Sequence, residues 1–141
     1  MNDRSKLVLV VRDGLPSHQA VNAAVVLGTS AAHLVGDALG PVGTDESGQT
    51  FTGITTIPVP VLVASSTELS TLHRRSAAGE SSLISVAFTE VARRARTYED
   101  YLAALASTED AAADLVALLL HGPVSAVNRA TRKLRLMPPD Q

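Results

Sequence analysis

The sequence predicts an α/β domain, with a mixed, mostly parallel sheet between layers of helix. Three observations carry the expectation. Apolar, β-rich runs at residues 7–11, 59–64 and 82–88 alternate with stretches of helical character. The first run, Leu7-Val8-Leu9-Val10-Val11, is apolar at every position, as suits a central strand with helices above and below. Most helical stretches open on a capping residue and close on Gly or Pro.

Arg12-Asp13-Gly14 ends the first strand. Pro16 suits the entry to a helix and Ser17 its cap, and the helical stretch is expected over residues 17–39. Val21, Ala24, Val25, Gly28, Ala32, Val35 and Leu39 fall three and four apart and are expected to form its buried stripe. Gly28-Thr29-Ser30 is a weak point for a bend or break, and Gly40-Pro41 a stop. Residues 43–50 are polar and turn-rich, and residues 51–56 read as a short edge strand. Pro58 and Pro60 bracket the start of the next strand, expected over residues 59–64. Ser65 and Glu68 have capping-box spacing, opening a helix that ends at Ala78 and is closed by Gly79.

A third strong strand is expected over residues 82–88 and helix over 89–106, with Thr97 placed to recap it against Asp100. Residues 111–120 read two ways: Ala, Asp and Leu favour helix, while the apolar run closed by His121-Gly122-Pro123 fits a buried strand. Pro123 and Ser125 open a last helix reaching Arg132, and residues 134–137 suit a short closing strand. With no repeat and no linker, the expectation is one domain over residues 1–141, the tail 138–141 frayed.

Composition narrows function by exclusion. Hydrophobic residues are 45% of the chain, enough for a core, but aromatics are 3%, so Val, Leu, Ile and Ala must build it. Absence of cysteine excludes disulfides, thiolate metal ligands and a cysteine nucleophile. A formal net charge of −2 argues against a generally basic nucleic-acid binder. No apolar run approaches the ~20 residues of a membrane-spanning helix, and the opening residues do not read as a signal peptide, so a cytoplasmic location is expected. There is no phosphate loop, no nucleophile elbow and no paired-histidine motif among His18, His33, His73 and His121, so neither metal nor cofactor is expected.

The local candidates for a site lie after strands, because ligands in open α/β sheets bind outside the strands' carboxyl ends. Asp13, His18, Gln19 and Asn22 follow the first strand, and Thr89 and Glu90 follow the strand at 82–88. A carboxylate beside an imidazole or amide can do acid–base work or hold an amine. All but Asn22 also have a structural explanation: Asp13 as a turn former, Gln19 with Ser17 as capping residues, His18 as a solvated side chain, Thr89 and Glu90 as a cap and first-turn acid. Asn22 falls one position from the apolar stripe and would be costly if buried unpaired. Three basic clusters stand apart: His73-Arg74-Arg75; Arg93, Arg94 and Arg96; and Arg129, Arg132, Lys133 and Arg135. Helix dipoles account for cations at helix ends, and phosphates would account for clusters that converge. Tyr98 and Tyr101, three apart, read as packing or interface residues.

The run from Lys6 to Asp13, then Leu15, then Asn22-Ala23-Ala24, resembles the opening of type-2 peptidyl-tRNA hydrolases. Ser66-Thr67-Glu68-Leu69, and Gly122-Pro123 leading to Leu134-Arg135-Leu136, continue the likeness. The closer resemblance is to the domain of unknown function two-thousand family, through Gln19, Asn22, Asp45, Gly48, residues 73–76 and Thr89-Glu90. That resemblance implies a mixed four-stranded sheet with helices on both faces, a strand at residues 115–120, and a homodimer. It does not carry over catalysis. The hydrolases' Gly-Lys motif is replaced by Ser17-His18-Gln19-Ala20, and their Asp-Ala-Gly-x-Thr-Gln stretch by Thr89-Glu90-Val91-Ala92-Arg93. The resulting expectation is a binding protein for a small molecule or peptide at Asp13, His18, Gln19, Asn22, Thr89 and Glu90. A diverged hydrolase and a dimeric interaction module are the alternatives, with tRNA not expected as a partner.

Overall fold

A computed structural model describes residues 4–36 and 38–138; of the tail at 138–141, all but Pro138 lies outside the described residues. Strand β1 (Ser5–Arg12) leads to helix α1 (Ser17–Ala31), then a hairpin of β2 (Gly43–Thr44) and β3 (Thr50–Phe51). Strand β4 (Val61–Ala64), helix α2 (Ser66–Ala77) and strand β5 (Ile84–Thr89) follow. Two short helices, α3 (Glu90–Arg94) and α4 (Tyr98–Ala106), precede β6 (Leu115–Pro123), α5 (Val124–Thr131) and β7 (Arg135–Leu136).

The main sheet has five strands in the order β5-β6-β1-β4-β7. Only β1 and β4 pair in parallel; β1–β6, β5–β6 and β4–β7 are antiparallel. This corrects the expected mostly parallel, four-stranded sheet. The reason is the connection after β5. A parallel neighbour needs a helix long enough to carry the chain back across the sheet. Helix α3 has 5 residues and spans about 7.5 Å, against about 20 Å for the 6 residues of β5. The chain therefore stays at one edge through α3, α4 and a 3₁₀ turn at Ala111–Asp114, and β6 starts where β5 ended. The open choice for residues 111–120 resolves accordingly: four residues of 3₁₀ turn, then strand.

Strand directions follow. β1, β4 and β5 point one way, and their carboxyl ends share an edge with the start of β6. The amino ends of α1, α2 and α3 gather at that edge.

Two apolar layers flank the sheet. On one side Leu7, Leu9, Val11, Phe88, Val116 and Leu119 pack against Ala20, Ala23, Leu27 and Ala31 of α1. On the other, Val8, Val10, Leu118 and Leu120 pack against Leu69 and Leu72 of α2 and Ala126 and Val127 of α5. Both faces of β6 are covered, which explains its unbroken apolar run; residues 115–120 are all at most 3% exposed.

Several local expectations shift. Helix α1 runs through Gly28 and ends at Ala31, short of the expected residue 39, in a 3₁₀ turn at Ala32–Leu34. Pro16, not Ser17, occupies its N-cap. Its buried residues are Ala20, Ala23, Leu27 and Ala31, whereas Val21 and Val25 of the expected stripe are 64% and 63% exposed. Alanines let the helix axis approach the sheet closely, and a face of branched valines would hold it off. The edge strand expected at 51–56 reduces to the two residues of β3, paired with β2 away from the main sheet. There Gly53 must be glycine, since a Cβ would fall 1.8 Å from the Gly40 carbonyl oxygen. The strand expected at 82–88 is displaced to 84–89 because Ser81 and Ser82 take positive φ.

The capping expectations for Ser65 and Thr97 hold. Ser65 accepts from the Glu68 amide at 3.1 Å while Glu68 accepts from the Ser65 amide at 2.9 Å. Thr97 accepts from the Asp100 amide at 3.0 Å, splitting α3 from α4. Gly79, at φ 78°, closes α2.

Candidate functional site at the carboxyl edge of the sheet

Glu90 is the most distinctive charged group at this edge. It is 8% exposed, following directly on β5 in the first turn of α3. Thr89, 6% exposed, fixes that turn by accepting from the Ala92 amide at 3.0 Å. Three guanidiniums surround the carboxylate: Arg93 through its Nε, Arg94 at 3.7 Å and Arg12 at 3.6 Å. Arg12 also reaches Asp114 Oδ1 and the Leu115 carbonyl, each at 3.3 Å. The ends of β1 and β5 and the start of β6 are thus tied by one charge network. A buried carboxylate is tolerated only when paired in this way. Strands β1 and β5 do not adjoin, because β6 lies between them, and the ion pairs of Glu90 are with arginines rather than with His18.

On the other flank, Asp13 accepts from Arg135 at 3.1 Å, joining the end of β1 to β7. The two, with Ala64, Ser65, Glu68 and Lys133, line a cleft of about 190 Å³ at the ends of β1 and β4. Its wall carries two carboxylates and two cations. Glu68 is engaged as the capping-box acid of α2, and the Asp13–Arg135 pair is exposed, at 58% and 60%.

The remaining candidates lie on α1. His18 and Asn22 are exposed and Gln19 is half-buried. Helix geometry puts His18 and Asn22 on the side opposite Ala20, Ala23 and Leu27. Lys133 and Arg135 join the site without having been expected there; Arg12 belongs to the polar turn that the sequence marks after the first strand. A second feature has no signature in the sequence. A groove of about 480 Å³ runs between α1, β5 and α4, walled by Val26, Ser30, Val86, Tyr98 and Tyr101. The two tyrosines stack edge-to-face there, with centroids 5.4 Å apart.

Buried ring nitrogens add one anomaly. Among the described residues no hydrogen-bond partner serves Nδ1 or Nε2 of His121, or Nδ1 of His73. His121 sits on β6 opposite Leu7 and Ile84, in an apolar row. Among the described residues no three His, Asp or Glu side chains form a metal-binding group, and no helix is long and apolar enough to cross a membrane.

No curated protein matches the chain. In fold it is similar to a solved protein of unknown function, Atu0240, from Agrobacterium tumefaciens strain C58. The two share 19% identity with a TM-score of 0.83, over 98% of this chain and 100% of that one. At that identity the likeness speaks for the fold alone. The family described as protein of unknown function DUF2000 matches residues 5–138, and on that match the chain belongs to the DUF2000 family.

Proposed function

We propose that the protein binds a small zwitterionic molecule, an amino acid or the end of a peptide, at the carboxyl edge of the sheet. The observation that carries this reading is the mixed-charge cleft at Asp13. Its volume, about 190 Å³, suits one residue-sized ligand. An ammonium group would pair with Asp13, and a carboxylate with Arg135 and Lys133. Exchange of partners is cheap, because an exposed ion pair such as Asp13–Arg135 contributes only ~0–1 kcal/mol. Thr89 and Glu90 act in this reading as positioning residues, since they hold Arg12 and the end of β1 in place. His18, Gln19 and Asn22 do not line this cleft and have no part in the reading.

Calorimetric titration with free amino acids, dipeptides and their N-acetylated and amidated analogues tests the reading. Removing either ligand charge is expected to weaken binding by about tenfold or more, the worth of one charge-assisted contact. Asp13→Asn and Arg135→Gln are expected to do the same from the protein side. Equal affinity for blocked and free ligands would contradict it. Turnover of an N-blocked aminoacyl-tRNA, abolished in His18→Ala or Glu90→Ala, would replace this reading with a diverged hydrolase of peptidyl-tRNA hydrolase-like architecture.

A homodimeric interaction module is the second reading, favoured by one observation. Val42, Phe51 and Ile54, on and beside the hairpin, are 63%, 57% and 80% exposed. Light scattering on the wild type and on Phe51→Ser with Ile54→Ser decides it: the pair of changes is expected to convert dimer to monomer.

A further inference from the structure

The groove between α2 and α5 joins two basic clusters that stand apart in the sequence. Helix α2 presents Thr67, Thr71 and Arg75 at i, i+4 and i+8, one row along its surface. At the end of α5, Arg129, Arg132 and Lys133 form a second row at i, i+3 and i+4. The two rows are opposite walls of a groove of about 370 Å³, with Leu72, Ala130 and Leu134 between them. The dipoles of α5 and α2 account for single cations on their last turns, Arg129 and Arg75, but not for Arg132 and Lys133 beyond the end of α5 in the same groove. Arg75 Nε is bound to Glu80 at 2.5 Å, and Glu68, also in the groove, is held by its capping box. No acidic partner of Arg129, Arg132 or Lys133 is present among the described residues. Arg129, Arg132 and Lys133, crowded at one end of the groove without a carboxylate partner among the described residues, repel one another unless an anion lies between them.

We infer that this groove binds a small molecule carrying a diphosphate, with its non-phosphate part against Leu72 and Leu134. Guanidinium forks match phosphate oxygens in pairs, and two threonine hydroxyls add donors. Several cations in one groove call for more than one phosphate. The pocket lies within the ~300–1,000 Å³ typical of small-ligand sites. A nucleic-acid strand is disfavoured by the charge of −2 and by the aromatics, since Tyr98 and Tyr101 line a different groove, Phe88 is buried and Phe51, on the hairpin, does not line this groove. The groove adjoins the Asp13 cleft and shares Glu68, Lys133 and Leu134 with it, whereas Arg75, Arg129 and Arg132 line the groove alone, so their variants separate the two sites.

Calorimetry with inorganic phosphate, inorganic pyrophosphate and ADP, beside a short single-stranded RNA, tests the inference. Pyrophosphate and ADP are expected to bind more tightly than phosphate, and less tightly as salt rises. Arg129→Gln and Arg132→Gln are each expected to weaken binding by about tenfold, with circular dichroism unchanged because both side chains are exposed. Arg96→Gln, in the groove beside the tyrosines, should leave binding unaltered. Absence of pyrophosphate and ADP binding at millimolar concentration would overturn the inference. So would affinity indifferent to Arg129→Gln and Arg132→Gln, or binding of the RNA alone.

Discussion

Glu90 concentrates the physical chemistry of this protein in one side chain. Its carboxylate is nearly buried, while its three guanidinium partners range from Arg12 at 24% side-chain exposure to Arg94 at 74%. Glu90→Ala is expected to cost about 2–3 kcal/mol in denaturant unfolding, below the ~3–5 kcal/mol of a wholly buried pair because Arg94 remains hydrated. A loss under about 0.5 kcal/mol would show that the network is decorative. His121 makes the opposite case. The residue is half-buried, and both its ring nitrogens are buried in an apolar row without a hydrogen-bond partner among the described residues. His121→Leu is therefore expected to leave stability unchanged or raise it by about 1 kcal/mol, and a clear loss would reveal a hidden partner. Thr89 and Glu90 are legible in the sequence, because a Thr-Glu pair after a strand is a local signal. The arginine at the other end of the network is not, because Arg12 and Glu90 meet only through the strand order β5-β6-β1.

Helix ends are readable for the same reason: capping uses residues three apart. Ser65→Ala is expected to cost about 1 kcal/mol, and a variant retaining full stability would mean that α2 does not depend on its capping box. The hairpin loop carries a pH dependence. The Asp45 carboxyl is held below the usual carboxylate range, chiefly by the Gln49 amide; desolvation opposes this, and the hydroxyl and amide of Ser47 and the amide of Gly48 add lesser lowering. A lowered folded pKa means stabilisation that is present above the unfolded value, ~3.9, and lost as pH falls through the folded one. An NMR titration should find the Asp45 midpoint below ~3.9, with the loop at Ser47 and Gln49 loosening only under it. A midpoint at or above ~3.9 would contradict the loop geometry. Which face of α1 turns inward is not readable from spacing. The helix is apolar around much of its girth, so periodicity favours Val21 and Val25, while close packing favours Ala20, Ala23 and Leu27.

At the scale of the molecule, the alternation of strands and helices signals an α/β fold but not the directions of its strands. Direction depends on which edge each connection ends at, and the break at Thr97 leaves α3 and α4 too short to cross the sheet. The shared carboxyl edge is unaffected by the reversal of β6, because β1, β4 and β5 still point the same way. That edge is the basis of the central claim, that a residue-sized zwitterion binds beside Asp13. The most direct measurement is a titration of the ¹⁵N-labelled protein with an unblocked dipeptide, following every backbone amide. The account predicts shifts centred on Asp13, Ala64, Ser65 and Arg135, abolished in Asp13→Asn. Shifts confined to the groove at Tyr98 and Tyr101, or none at millimolar dipeptide, would contradict it.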